Sequence, residues 1–529
     1  MKKISIKTAT FLLGFTLVFS GCKKDFGDLN TDKTKISSID NASLDYVFSA
    51  AEYRGVFGPN YAPSGSGNFQ LFEALFADLQ AQYFATTAQN FASDRNVMVG
   101  NWLNGAWNHF YGNAVAQLSV VLEQTKAGAP LANPVKNAMA NVWKVYMFMP
   151  VTDYWGAVPY SQAGNGKTEV LYDSQEDIYK DFFKSLKEAS AALSAYTGTE
   201  KIFSKGDLIY GGDVSKWLKL CNTLRLRAAM RISKKDPATA RAEAEAAIAA
   251  PGGLILSNAD NAWMKTTATT PHMLAAISDW GEFRMSAAME SVLKGYNDPR
   301  LPKFFNPAVS GGAYKGIRNG LSQIQLGAAQ NGINVNSNLN SSIGIGARGT
   351  APWPVFMSAE TWFLLAEGLM NGWNMGTAAT TAKLAYETGI DRSMDQWGVK
   401  DALVIAAYKT GATTPQALGD IYNTPAMSNI PVAFGATEAA QREQIGTQKW
   451  LALYPYSPEA WAEFRRTGFP KLYPRMNSEN TDSPATDAAS VKRTTYPPIE
   501  ASANPKGLAS GISKLGGPDK TSTKVWWNQ

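Results

Sequence analysis

Histidine is almost absent from this chain: His109 and His272 are the only two among 529 residues. That count excludes a histidine-rich metal centre and any relay that needs several imidazoles. Cysteine is equally scarce, with Cys22 and Cys221 alone, so no disulfide framework can hold the fold and stability must come from packing. The sequence contains no HExxH, CxxC or GxSxG signature, which removes the local patterns of zinc proteases, thiol redox sites and serine hydrolases. "AGNGKTE" resembles the end of a phosphate-binding loop, but that motif needs glycine five residues before Gly166, where Ser161 stands. "DLNTDK" sets Asp28, Asn30 and Asp32 at calcium-loop spacing, yet Lys33 replaces the turn glycine and Ile39 the closing glutamate. These gaps imply neither a cofactor nor a metal. Positive charge is spread thinly as well: the net charge is +6 and no Lys/Arg run exceeds two. A nucleic-acid binder shows a concentrated basic face, so nucleic acid is not an expected partner. A carboxylate pair of the glycosidase kind remains formally open, because two acids can converge in space without any sequence spacing.

Long apolar runs are lacking too. Lys2, Lys3 and Lys7 precede "FLLGFTLVF", an apolar stretch too short for the roughly 20 residues a membrane helix needs. A positive start, a short apolar core and the small residues Ser20 and Gly21 before Cys22 make a secretory signal peptide. Small-Gly-Cys at such a junction resembles a lipobox, in which the cysteine is acylated and the chain is cut before it. The expected organisation is residues 1–21 as lipoprotein signal peptide, Cys22 as lipidation site, and 22–529 as one domain; ordinary secretion with a free Cys22 is the alternative. More than one acyl chain on Cys22 would hold the protein stably at a membrane. Without its three leader lysines the remaining chain would carry +3.

What the sequence has in quantity is helical periodicity. In "VKNAMANVWKVYMFMP" Met139, Val142, Trp143 and Tyr146 fall on one helix face, and Pro150 marks the expected end. "YDSQEDIYKDFFKSLKEASAAL" aligns Tyr179, Phe182, Phe183, Leu186 and Leu193, with Ser174 and Asp177 at capping-box spacing. "VSKWLKLCNTLRLRAAMRIS" aligns Trp217, Leu220, Cys221, Leu224 and Ala228, which makes Cys221 core filling. Further helical stretches begin near residues 353, 380, 438 and 457; in the last, Ser457 suits a cap and Pro458 the first helical position. Helix pairs joined by turns point to a mostly α, helical-repeat scaffold.

Residues 306–351 and 475–529 are rich in Gly, Asn and Ser instead. They are expected to be irregular loops around one scaffold, and loops of that length are commonly functional. The chain also holds 15 Trp, 21 Tyr and 24 Phe. Trp143, Trp217 and Trp362 sit on apolar helix faces, but Trp263, Trp280, Tyr314 and Trp353 stand among polar neighbours. An aromatic ring flanked by Asn, Asp and Arg suits a sugar ring, whose C–H face stacks while its hydroxyls take hydrogen bonds; it also suits peptide side chains. These four are the candidate ligand-binding residues, with core packing as the alternative for each.

"GDLIYGGDVSKWLKLCNTLRLRAAMRIS" (206–233) closely resembles a segment shared by the SusD/RagB-like nutrient-binding outer-membrane lipoproteins, with Tyr210, Asp213, Lys216, Trp217, Asn222, Arg225 and Arg227 in place. "FADLQAQYFATT", "VTDYWGAVPYS", "YNDPRLPKFF", "WAEFRRTGFPKL" and the terminal "KVWWNQ" agree in the same order. Ala157 departs from the Asp common in "YGDVPY", and Cys221 from a small or apolar residue. The resemblance implies a tetratricopeptide-like helix-pair scaffold whose irregular excursions form the ligand face. It also implies a non-enzymatic role: a surface lipoprotein, anchored in the outer membrane, that captures an oligosaccharide or peptide and delivers it to a SusC-type TonB-dependent transporter. A surface glycan hydrolase with a carboxylate pair and a structural adhesin are the rival classes.

Overall fold

The apolar faces marked out by helical spacing become the buried faces of helices in a computed structural model, which describes residues 39–58, 68–267, 270–343 and 351–529. The chain divides into two units between Leu44 and Asp45. The lipidation candidate Cys22 and the boundary after residue 21 lie outside the described residues.

In chain order the longer helices are α1 (Asn41–Gly55), α2 (Gly100–His109), α3 (Ala116–Thr125), α4 (Pro134–Trp155), α5 (Gln175–Ser194), α6 (Val214–Arg231) and α7 (Pro237–Ala249). They continue with α8 (Met273–Trp280), α9 (Ala287–Gly295), α10 (Ser358–Met370), α11 (Ala382–Gln396), α12 (Glu438–Leu453) and α13 (Ser457–Thr467). Neighbours in sequence pack on each other: α3 on α4, α4 on α5, α5 on α6, α6 on α7, α10 on α11, and α12 on α13. This is the helix-pair scaffold. Strands among the described residues are short: β1 (Phe84–Thr86) pairs antiparallel with β3 (Phe283–Met285), and β2 (Ala262–Met264) with β4 (Trp353–Phe356).

Local chemistry sets the helix ends. Ser174 caps α5 by accepting from the Asp177 N–H at 3.1 Å, and Asp213 caps α6 by accepting from Lys216 at 3.3 Å. Two boundary expectations need correction. Pro150 does not end α4, which runs on to Trp155 with Val151, Thr152, Asp153, Tyr154 and Trp155 all buried. The burial of that last turn outweighs the hydrogen bond a mid-helix proline removes. Ser457 is not the cap of α13 but its first residue, and Tyr456 precedes it.

The core gathers around α6, where Trp217, Leu220, Cys221, Leu224 and Ala228 are fully buried. The Trp217 Nε1–H donates to Asp207 at 2.8 Å, and Phe48, 5.9 Å from the Trp217 ring, stacks on Phe203 at 4.2 Å. The Cys221 thiol donates to the Leu186 carbonyl on α5, and burial pushes its pKa up, so it is inert core filling.

The core also holds ions that no periodicity announces. Arg231 on α6 is fully buried and meets Asp153 at 3.2 Å, Glu459 at 2.6 Å and Glu463 at 2.5 Å. Glu463 further binds Lys449 and Arg466, and Arg466 forks onto Glu367 of α10. Burial alone would raise the Glu463 carboxyl, but Arg466, Lys449 and Arg231 hold it well below the usual carboxylate range. This network ties α4, α6, α10, α12 and α13 together. Residues 475–529, expected to be irregular loop, include a helix at Pro505–Ser513, capped by Asn504 and begun by Pro505, and lock onto the same centre. The Trp527 Nε1–H donates to Asp153 at 2.7 Å and the Arg493 Nε–H to the Trp155 carbonyl at 3.1 Å.

Candidate functional site

Trp280 is the last residue of α8, which Gly281 terminates in the left-handed conformation at φ +72°. The chain therefore turns sharply away and leaves the indole 46% exposed. Polar side chains stand on the residues that follow it, Glu282 and Arg284. The Glu282 carboxylate accepts from the Gln70 side-chain amide, and the Glu282 carbonyl accepts from the Thr87 N–H at 2.9 Å. Arg284 donates through Nε to the Ile333 carbonyl at 2.9 Å and has no acid partner among the described residues. β3 leads from this corner to Phe283, which lies 5.8 Å from Phe91, and Phe91 meets the half-buried Trp102 edge-on at 5.5 Å. Phe283 and Phe91 are themselves buried, so of these rings Trp102 and Trp280 are the ones that reach solvent. Trp102 was not singled out from the sequence, although Asn101 and Asn104 flank it there.

The other three candidates fall elsewhere. Tyr314 is half-buried in a cleft of about 280 Å³, beside Tyr422. Segment 331–337 links that cleft to the Trp280 corner: Asn331 donates to the Tyr422 hydroxyl, Ile333 accepts from Arg284, and Ser337 accepts from the Lys315 N–H. Trp263 is half-buried on β2, paired with Pro354 of β4. Trp353 corrects an expectation. It is 0% exposed, with Phe69 and His272 edge-on at 5.3 Å each. β4 is buried along its whole length and Phe69 and His272 cover the ring, so it offers no face to a ligand.

Both histidines are buried, and burial lowers His109 to about 4 and His272 to about 3, so both are neutral at pH 7. Among the described residues no group of three or more His, Cys, Asp or Glu could hold a metal ion. Acids do converge, but in the interior: Glu73 and Asp78 are fully buried, and burial pushes the Asp78 carboxyl up to about 7. Neither Asp78 oxygen has a hydrogen-bond partner. Folded protein then holds a proton on Asp78 between about pH 4 and 7 that the unfolded chain has released, so stability falls as pH rises through this window. Asp78→Asn should flatten that fall by an amount on the order of 2–4 kcal/mol, read from denaturant melts at pH 4, 6 and 8. A pH dependence unchanged by the substitution would contradict it.

A family profile described as SusD-like, for SusD and RagB outer membrane lipoproteins, matches residues 28–528. A chitin-binding SusD homologue from Flavobacterium johnsoniae is 33% identical with a TM-score of 0.82, covering 92% of this chain and 98% of its own. A SusD homologue from Bacteroides vulgatus is 29% identical with a TM-score of 0.82, covering 91% and 97%. One from Bacteroides uniformis is 30% identical with a TM-score of 0.81, covering 93% and 100%. None of the curated proteins matches this chain.

Proposed function

Since this chain belongs to the SusD-like family of outer membrane lipoproteins, we propose that it captures an oligomeric nutrient on the Trp280 face and passes it unchanged to a SusC-type TonB-dependent transporter, while Cys22 tethers it to the outer surface. The observation that carries the reading is the exposed indole itself. An indole left in water at a helix end, with hydrogen-bonding side chains on the residues that follow, has its face free to stack on a ligand. Gln70, Glu282 and Arg284 beside it supply the donors and acceptors that would fix a sugar or peptide in one orientation. The 33% identical chitin-binding homologue makes N-acetylglucosamine oligomers the first probe for this protein. The hydrolase reading has no comparable support, because the acids that converge are fully buried or neutralised by arginine and lysine.

Trp280→Ala should weaken binding of an N-acetylglucosamine hexamer by about 1–3 kcal/mol, as loss of an interface anchor does, and leave the thermal midpoint in place. Trp353→Ala should behave in the opposite way, costing about 3–5 kcal/mol of stability through loss of the buried ring. Calorimetric titration beside a thermal melt separates the two. Normal binding by Trp280→Ala, or a loss only in step with unfolding, would remove Trp280 from the ligand face.

A further inference from the structure

The cleft beside Tyr314 carries a charge imbalance that the capture of a neutral oligomer does not explain. Its walls are the loops 313–318 and 418–422 together with α9. Two acids line it and both are already engaged. Glu290 accepts from the Lys294 ammonium at 2.8 Å and from the Gly316 N–H at 2.6 Å. Asp420 is turned onto its own loop, accepting from the Thr424 N–H and from the Thr424 hydroxyl at 2.8 Å each.

Two cations have no such partner. Arg318 is only 9% exposed and makes no ion pair among the described residues. Its Nη1 donates to the Thr424 hydroxyl and its Nη2 to the Pro474 carbonyl, both at 3.0 Å, while Nε has no partner at all. The Tyr473 ring lies 4.6 Å from the guanidinium. Asp420 shares Thr424 with Arg318 and acts on it through space, but forms no ion pair with it. The next arginine, Arg475, is itself buried and meets Asp94 only at 3.8 Å, so it adds positive field without cancelling any. Lys315 is half-buried at the cleft wall and likewise forms no ion pair among the described residues. A buried guanidinium with an idle N–H and no ion-paired carboxylate is costly unless an anion arrives to share it.

We infer that this cleft is a subsite for a carboxylate carried on a sugar ring, held by Arg318 and Lys315, with Tyr314 and Tyr422 flanking the ring. The inference deepens the capture reading above and rests on it for its biological meaning. It names acidic oligosaccharides, those bearing uronic acid units, as ligands that gain from the second contact. A guanidinium and an ammonium around one carboxylate make charge-assisted hydrogen bonds, which are roughly twice as strong as neutral ones.

The test is titration of the full lipidated protein in detergent with D-glucuronate and, as neutral control, D-glucose, read by saturation-transfer NMR. At about 50 mM salt, where screening is weak, glucuronate should bind about tenfold more tightly than glucose. Inorganic sulfate should compete, and the preference should shrink as salt rises. Arg318→Gln should abolish the preference. Lys315→Gln should reduce it severalfold with the melting temperature unchanged, which keeps the test decisive if Arg318→Gln folds poorly. A glucuronate-to-glucose ratio near one in the parent protein, or a ratio retained in both variants, overturns the subsite. If N-acetylglucosamine oligomers bind through Trp280 while glucuronate shows no preference, the subsite alone falls. If glucuronate is preferred but no oligomer binds in any form, the subsite stands and the capture reading falls.

Discussion

Cys22→Ala protein should be lost from the outer-membrane fraction altogether. No helix among the described residues is long and apolar enough to cross a membrane, and the apolar stretch before Cys22 is also too short. On the proposed anchor, attachment rests on acyl chains at Cys22, each buried methylene contributing about 0.8 kcal/mol. Two or more chains hold a protein stably, one only marginally, so removing the acceptor changes partition by orders of magnitude. Fractionation with immunoblotting reads the loss, and mass spectrometry of the parent protein should find an acylated Cys22 as the first residue. An unacylated amino terminus in the parent, or Cys22→Ala protein still in the membrane pellet, would contradict the anchor.

Arg231→Met should cost about 3–5 kcal/mol of folding stability, the typical result of removing one partner from a buried ionic cluster. Arg231 is 0% exposed and stands among Asp153, Glu459 and Glu463. Without it, Asp153 keeps its neutral donors Tyr179, Trp527 and Gln175 and the field of Arg465, but no ion pair. Glu459 keeps Arg227 at 3.7 Å, and Glu463 keeps Lys449 and Arg466. One negative charge is left uncompensated in the interior, and its desolvation is the source of the cost. The control is Lys180→Ala, which breaks an exposed pair one helical turn apart with Glu176 on α5 and should cost no more than about 0.5 kcal/mol. Denaturant melts of both variants decide the matter. An Arg231→Met protein within about 1 kcal/mol of the parent would mean that the cluster is not a structural keystone.

Arg231 also shows where sequence reading reaches its limit. Helix faces at Met139, Tyr179 and Trp217 were legible because periodicity is local, and the same spacing that marks a face also buries it. The partners of Arg231 come from α4 and α13, up to 232 positions away, and no spacing rule connects them. The extent of α4 was misjudged for a related reason: proline is a local signal, whereas the burial of Tyr154 and Trp155 behind it is decided by what packs from elsewhere. The aromatic candidates divide in the same way. Polar neighbours in sequence mark Trp280 and Trp353 alike. Only strand pairing with β2 and the packing of Phe69 and His272 turn Trp353 inward, while a helix end and Gly281 leave Trp280 outside. Trp102 was missed because α2 carries it on a helical stretch, where an aromatic suggests core. Arg318 was missed because an arginine in a glycine-rich loop suggests a solvated side chain, and its burial depends on Tyr473 and Pro474, more than 150 residues on.

The central claim is capture without chemistry. The mature lipidated protein, held in detergent, can be titrated calorimetrically with a panel of soluble oligosaccharides and oligopeptides, and each ligand recovered afterwards for its chain length. The account predicts saturable heat with at least one oligomer, recovered at its original length after prolonged incubation and bound more weakly by Trp280→Ala. Heat with no member of the panel, or a bound oligomer recovered in shortened form, would contradict it.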